Sequence, residues 1–306
     1  MEAIKELPRD IVASIGPTLA VFLPLVKAHE SEISGIKHKT FKYGATERHQ
    51  LDVYFPSGNF GGKAPVLFFV YGGGLMSGDR VFEPPADLFY RNVGAFFAKQ
   101  GIVTVIADYR LYPHIKFPDP AEDIRDAMVW FVSNIDEVNK DVSTPADVDN
   151  IFIRGHSAGG AVAATLVLMP DLLPQDLRPR IKGLILQAGV YHFRDIVPLN
   201  PDVTSSYYGN EVQQREREPL GLVERAPENL LRGLSIITMI AEYDPPEYLA
   251  MHQDITKALN EKLGTPVQEI VMQGHNHISP NACLYSGEGE GWAFEVAEWV
   301  KVKSGI

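Results

Sequence analysis

The sequence predicts an α/β protein in which a mostly parallel sheet is flanked by helices, and three observations point there. From about residue 50 onward, short β-rich runs alternate with segments of helical spacing. Several of these runs are continuously apolar rather than alternating, as strands covered on both faces require. The bulk composition is that of a globular chain, with 45% hydrophobic and 22% charged residues over 306 positions.

The elements follow in order. Residues 1–45 precede the sheet and contain IVASIGPTLAVFLPLVKA (11–28), the most apolar early stretch. It could be read as a signal anchor, but Pro17 and Pro24 interrupt it, and Lys5 and Arg9 are offset by Glu2, Glu6 and Asp10. A packed helical segment without stable membrane insertion is the expectation. LDVYF (51–55) and PVLFFVYGGG (65–74) read as strands, followed by IVTVIADYR (102–110), NIFIRG (150–155), GLILQAG (183–189), LSIITMIAEYD (234–244) and VQEIVMQG (267–274). Between them, helical spacing marks residues 87–101, 121–135, 157–169, 247–264 and 291–302. A polar, loop-rich insertion at 190–232 breaks the alternation. Such segments commonly cover the carboxyl ends of the strands, where open α/β sheets bind ligands. One domain over 1–306 is expected, capped by residues 1–45 and the insertion.

Charge and cysteine usage exclude several functions. A formal charge of −11 with no basic run argues against nucleic acid as a partner. The single cysteine, Cys283, excludes an intrachain disulfide and a cysteine-based zinc site. It fits a reducing compartment, so a cytoplasmic location is expected. The oligomeric state is open, a homodimer included.

GHSAGG (155–160) matches G-x-S-x-G, a weak pattern alone, but it lies where NIFIRG meets the small-residue helix AGGAVAATLVLM. A sharp strand-to-helix turn there would expose the Ser157 hydroxyl, whereas an ordinary serine at this place would be a helix cap. A serine nucleophile needs a base and oxyanion donors. The Ala158 amide, directly after it at the helix N-terminus, is one donor. YGGGLMSGD (71–79) supplies Gly73 and Gly74 as the others; a phosphate loop is the rival reading, but no G-K-[ST] follows. For the acid, LSIITMIAEYDPP offers Glu242 and Asp244, of which Asp244 is preferred because it follows the apolar run and precedes Pro245. A histidine is then due last, where GHNHIS (274–279) carries His275 and His277. These could also be a metal pair, but no third ligand is marked in the sequence.

With these motifs in order, the chain resembles the α/β-hydrolase superfamily, and more narrowly its hormone-sensitive-lipase-like esterases and kynurenine-formamidase-like hydrolases. The resemblance spans about residues 65–300. It rests on DYRLYPHIKFPDPAEDIRDAMVWF (108–131), GHSAGGAVAATL and AEYDPPEYLAMHQDITKALNEKLG. It implies the α/β-hydrolase fold and, by aligning Gly274 with the glycine of the group's G-x-x-H-G-F segment, places His277 on the catalytic histidine. Two departures stand out: Tyr71 replaces the histidine of the usual His-Gly-Gly-Gly, and Ile278–Ser279 replace Gly-Phe.

The expected function is hydrolysis of a small-molecule carboxylic ester through an acyl-enzyme, by Ser157, His277 and Asp244, with no metal or organic cofactor required. Aryl formamide or other amide cleavage uses the same triad, and a catalytically silent binding module is a third reading. Tyr71, Leu75, Met76, Tyr191, Phe193, Tyr207 and Tyr208 are candidate pocket or cap residues. His156 is expected to point away from the serine, His114 and His192 to be surface or pocket-wall residues, and His275 to pack the loop.

Overall fold

The computed structural model describes residues 1–58, 60–194, 198–227 and 229–305, so residues 195–197 and 228 of the expected cap insertion lie outside the described residues. The strands are β1 (His38–Lys42), β2 (Gln50–Tyr54), β3 (Ala64–Val70), β4 (Val103–Ala107), β5 (Ala146–His156), β6 (Ile181–Gln187), β7 (Ser235–Ala241) and β8 (Gln268–Met272). They form one sheet in the order β1-β2-β4-β3-β5-β6-β7-β8. The β1–β2 and β2–β4 pairs are antiparallel and all the others parallel. Every residue of β3 and β4 is buried, which explains their uninterrupted apolar runs.

Helices Arg91–Lys99, Asp119–Ser133, Ala158–Leu168, Pro246–Leu263 and Gly291–Ser304 provide the crossovers and the outer layers. Their ends follow local chemistry. Pro246 stands at the first position of its helix, where its missing amide costs nothing, and Gly264 ends that helix in the left-handed conformation with φ 68°.

Two expectations need correction. Residues 38–42, assigned to the segment before the sheet, form the edge strand β1, whose alternating polar sequence HKTFK hides it from an apolar-run criterion. The insertion is not mainly loop: it contains helices Pro201–Tyr208, Glu211–Arg217 and Pro219–Arg225. The middle one begins with a reciprocal cap, in which Asn210 Oδ1 accepts from the Gln213 amide and Gln213 Oε1 from the Asn210 amide, both at 3.0 Å.

The apolar N-terminal stretch forms the helix Ile11–Lys27, which runs through Pro17 and Pro24. Asp10 caps it, accepting from the Ala13 amide at 2.7 Å. Ile11, Ser14, Thr18, Phe22 and Val26 face inward, at the spacing of one helical face. No helix among the described residues is long and apolar enough to cross a membrane.

The strand order determines where a site can form. From β3 the chain crosses to β4 on one side and then back to β5 on the other, so the loops leaving β3 and β5 diverge and open a crevice at the strand carboxyl ends. Val70 at the end of β3 pairs with Gly155 near the end of β5, and Ala241 of β7 with Met272 of β8. The glycine loop therefore lies beside the GHSAGG turn, and the Asp244 loop beside GHNHIS.

Candidate active site

Ser157 sits between β5 and the helix Ala158–Leu168 with φ 56° and ψ −127°. For a non-glycine residue this conformation costs on the order of 1–3 kcal/mol and persists only where its surroundings impose it. A Cβ on Gly159 would lie 2.2 Å from the Val70 carbonyl oxygen, and one on Gly155 would lie 2.3 Å from that of Gly159. The turn can be this tight only because both positions lack side chains.

The glycine loop approaches the serine from β3. A Cβ on Gly72 would stand 2.8 Å from that of Ser157. Gly73 and Gly74 have φ 126° and 64°, and a Cβ on Gly73 would lie 2.1 Å from the Ser77 carbonyl oxygen. The Gly73 carbonyl accepts from the amides of Met76 and Ser77, closing a turn, while the Gly73, Gly74 and Ala158 amides have no acceptor among the described residues. All three residues line the same cavity as Ser157. Unpaired amides around a nucleophile are what an oxyanion hole requires.

Tyr71 is fully buried behind this loop rather than in the pocket, correcting its expected substrate contact. Its phenol donates to Asp108 Oδ1 at 2.7 Å and accepts from Arg48 Nη2 at 2.8 Å. Its ring stacks between Tyr90 and Tyr109, with centroids 5.7 and 4.9 Å away. Asp108 also accepts from the Arg80 amide at 2.6 Å and pairs with its guanidinium. Arg48 reaches the Gly78 and Tyr109 carbonyls, each at 2.8 Å. Burial, with nearby Asp79 adding, pushes Asp108 up to about 6 against the pull of Tyr71 and Arg80. Tyr71 thus ties the glycine loop to β4 and its following residues.

Across the cavity, His277 Nδ1 lies 2.6 Å from Asp244 Oδ1, and Asp244 Oδ2 accepts from the Ala241 amide at 2.7 Å. Both side chains are buried. An ionised carboxylate can only accept, so Nδ1 donates to Asp244, and in the neutral imidazole Nε2 is then the acceptor. That Nε2 is buried and has no partner among the described residues. Glu242, the rival acid, instead accepts from the Gly274 amide at 2.7 Å.

His275 faces away from the serine. Its Nδ1 meets Ser279 Oγ at 2.9 Å and its Nε2 the Gly289 carbonyl at 2.8 Å, and burial lowers its pKa to about 4. Asn276 accepts from the amides of Ile278 and Ser279 and donates to Thr18 Oγ1 at 2.8 Å, tying the loop to the N-terminal helix. The departure at Ser279 therefore has a role in holding the loop. His156 is buried, and its Nε2 donates to the His277 carbonyl at 2.9 Å. Its ring packs on that of His277 at 4.8 Å, while burial, His277 and Arg154 keep its pKa well below the usual value. Sequence reasoning gave it no part; its hydrogen bond and ring contact help hold His277 in place. His114 is exposed, whereas His192 is buried with Nε2 3.1 Å from Asp254 and does not line the cavity.

The cavity has a volume of about 940 Å³. Leu75, Met76, Phe193 and Tyr208 line it as expected, but Tyr191 and Tyr207 do not. Tyr191 is buried with its ring against Gly189, and Tyr207 packs on Phe117 and Tyr208 as part of the cap's own core. The N-terminal helix contributes Ile11, Val12, Ile15 and Leu19, and the insertion adds Leu199, Asn200 and Val203. Tyr248 and Met251, on the helix after Asp244, complete the wall nearest His277 and carry no motif by which the sequence could have marked them. Among the described lining residues, Arg48 is the only lysine or arginine; its Nε and Nη2 donate into the glycine-loop network and its Nη1 pairs with Asp79 at 3.5 Å. No group of side chains suited to a metal ion occurs among the described residues.

Comparison with known proteins agrees with this architecture. Kynurenine formamidase of Danio rerio is 25% identical over 248 residues, covering 78% of this chain and 73% of that protein. Esterase LipC of Mycobacterium tuberculosis is 26% identical, covering 76% of this chain and 56% of that protein. Among solved structures, esterase B of Lactobacillus rhamnosis superposes with a TM-score of 0.69 at 14% identity, over 94% of this chain and 96% of that one. An esterase of Pseudomonas putida superposes with a TM-score of 0.67 at 20% identity, over 93% and 88%. These two share the fold. The BD-FAE family pattern matches residues 51–260, which include Ser157 and Asp244 and stop short of His277. With that match over more than half its length, the chain belongs to the BD-FAE family of α/β-hydrolases.

Proposed function

We propose that the chain is a serine carboxylesterase acting on uncharged, apolar or aromatic esters of small to medium size. The observation that carries this reading is the strained Ser157 elbow, opening on a largely apolar cavity that also presents the buried, unpartnered Nε2 of His277, held by Asp244. Ser157 Oγ attacks the ester carbonyl carbon as His277 Nε2 takes its proton, and Asp244 stabilises the imidazolium. The Gly73, Gly74 and Ala158 amides hold the carbonyl oxygen as it becomes an oxyanion. His277 then protonates the departing alcohol, and water repeats the cycle on the acyl-enzyme to release the acid.

Aryl formamide cleavage is the second reading, favoured by similarity to kynurenine formamidases at 25% and 24% identity. Charge favours the ester. An amino-acid formamide brings a carboxylate, and the described lining offers no uncommitted cation to receive it. Four exposed apolar side chains, Val12, Ile15, Met76 and Leu199, surround the mouth and suit an apolar substrate.

A fluorophosphonate probe should label the wild type and not Ser157→Ala. Labelling of both would end the serine-hydrolase reading. Turnover of p-nitrophenyl acyl esters should exceed that of N-formylkynurenine; the reverse order establishes the formamidase. Ligand binding with no turnover of either would leave a silent binding fold.

A further inference from the structure

Two rings pack against His277. His156 meets the imidazole at 4.8 Å and 38°, and Tyr248, the third residue of the helix Pro246–Leu263, meets it at 4.7 Å and 65°. Tyr248 is buried and lines the same cavity as Ser157, with its ring against His277. Burial pushes its pKa up, with Asp244 adding to the effect, so the phenol keeps its proton at neutral pH.

Resting on the serine-esterase reading, we infer that Tyr248 is a fourth catalytic residue whose phenol donates a hydrogen bond to Ser157 Oγ. The serine hydroxyl has one proton and two lone pairs. If Tyr248 donates to a lone pair, the serine proton is left for an acceptor across the cavity, and His277 Nε2, which has no partner among the described residues, lines that cavity. As that proton leaves, negative charge grows on Oγ and the phenol bond becomes charge-assisted, hence stronger than in the ground state. A bond that strengthens in this way lowers the barrier instead of merely tightening substrate binding. The backbone amides serve the carbonyl oxygen, and Tyr248 serves the nucleophile oxygen. When the acyl-enzyme collapses, Oγ departs and recovers its proton from His277, and the same donor stabilises it.

Tyr248→Phe keeps the ring on His277 and removes only the hydroxyl. Its second-order rate of fluorophosphonate labelling and its kcat/KM for p-nitrophenyl esters should fall by about ten- to a hundredfold, with KM nearly unchanged. Tyr248→Leu, lacking the ring as well, should fall further. Replacement by 3,5-difluorotyrosine, a stronger donor of nearly the same size, should restore at least the wild-type rate. Labelling of Tyr248→Phe at the wild-type rate, or a loss confined to KM, overturns the role of the phenol while leaving the esterase reading intact. A wild type that is itself unlabelled overturns both.

Discussion

Tyr71→Phe tests the network behind the glycine loop. The substitution keeps the ring stacked between Tyr90 and Tyr109 and deletes one oxygen that bridges Asp108 and Arg48. Neither charged group is orphaned: Asp108 retains the Arg80 amide and guanidinium, and Arg48 retains the Gly78 and Tyr109 carbonyls. The loss is therefore that of a hydrogen bond to charged partners, about 1.5–3 kcal/mol, without the larger penalty of a buried unpaired charge. With an unfolding entropy of roughly 0.6 kcal/mol/K for a chain of this length, Tm should drop by about 2–5 °C. Arg48 holds Gly78, where an added Cβ would lie 2.7 Å from both the Tyr71 ring and the Gly72 carbonyl oxygen, so the Gly72–Gly74 turn should loosen. A kcat reduction of about three- to tenfold, with a smaller change in KM, is expected from less well-aimed oxyanion donors. Differential scanning fluorimetry and p-nitrophenyl ester kinetics read the two effects. If Tm and kcat both stay at the wild-type values, Tyr71 does not support the loop and the reasoning is wrong.

Two further outcomes follow from the histidines. His277→Ala should lose at least about a thousandfold in kcat, whereas His275→Ala should keep most of the turnover at low temperature and lose about 1–3 kcal/mol of stability, because its two buried hydrogen bonds hold the loop. The opposite ranking in steady-state kinetics would show that His275 is the base. Acid should destabilise the fold between pH 6.5 and about 4. His275 has a folded pKa of about 4, below the usual 6.5, so the unfolded chain binds the extra proton and stability is lost as pH falls through that window. Full loss amounts to about 3 kcal/mol, and the lowered values of His156 and His252 act in the same direction. Thermal midpoints measured from pH 7 to 5 should decline, less steeply in His275→Gln; a flat profile contradicts this.

How much of the site was legible depended on whether its signal was local. The GHSAGG turn could be read because a nucleophile elbow needs small residues within a few positions of the serine, and a Cβ at Gly155 or Gly159 would collide with backbone. The triglycine, the acid before Pro245 and the late histidine carried comparable signals. Tyr71 was misplaced in the pocket because a tyrosine beside glycines reads the same whether its ring faces ligand or core. Tyr191 and Tyr207 were misplaced for the same reason: an aromatic in a cap contributes apolar area to either side of the cap wall.

The sequence by itself determined the α/β alternation and the candidate nucleophile and acid, because periodicity, turn chemistry and spacing act between residues close along the chain, while resemblance to the α/β-hydrolases singled out His277 as the candidate base. Tertiary structure decided which distant groups meet. It paired β3 with β5 and β7 with β8, brought the N-terminal helix to the cavity, packed His156 and Tyr248 against His277, and turned Tyr71 inward onto Asp108. Those contacts join residues tens to hundreds of positions apart. They arise from the lateral order of the strands and from side-chain packing, for which no short stretch of sequence carries a period or a spacing.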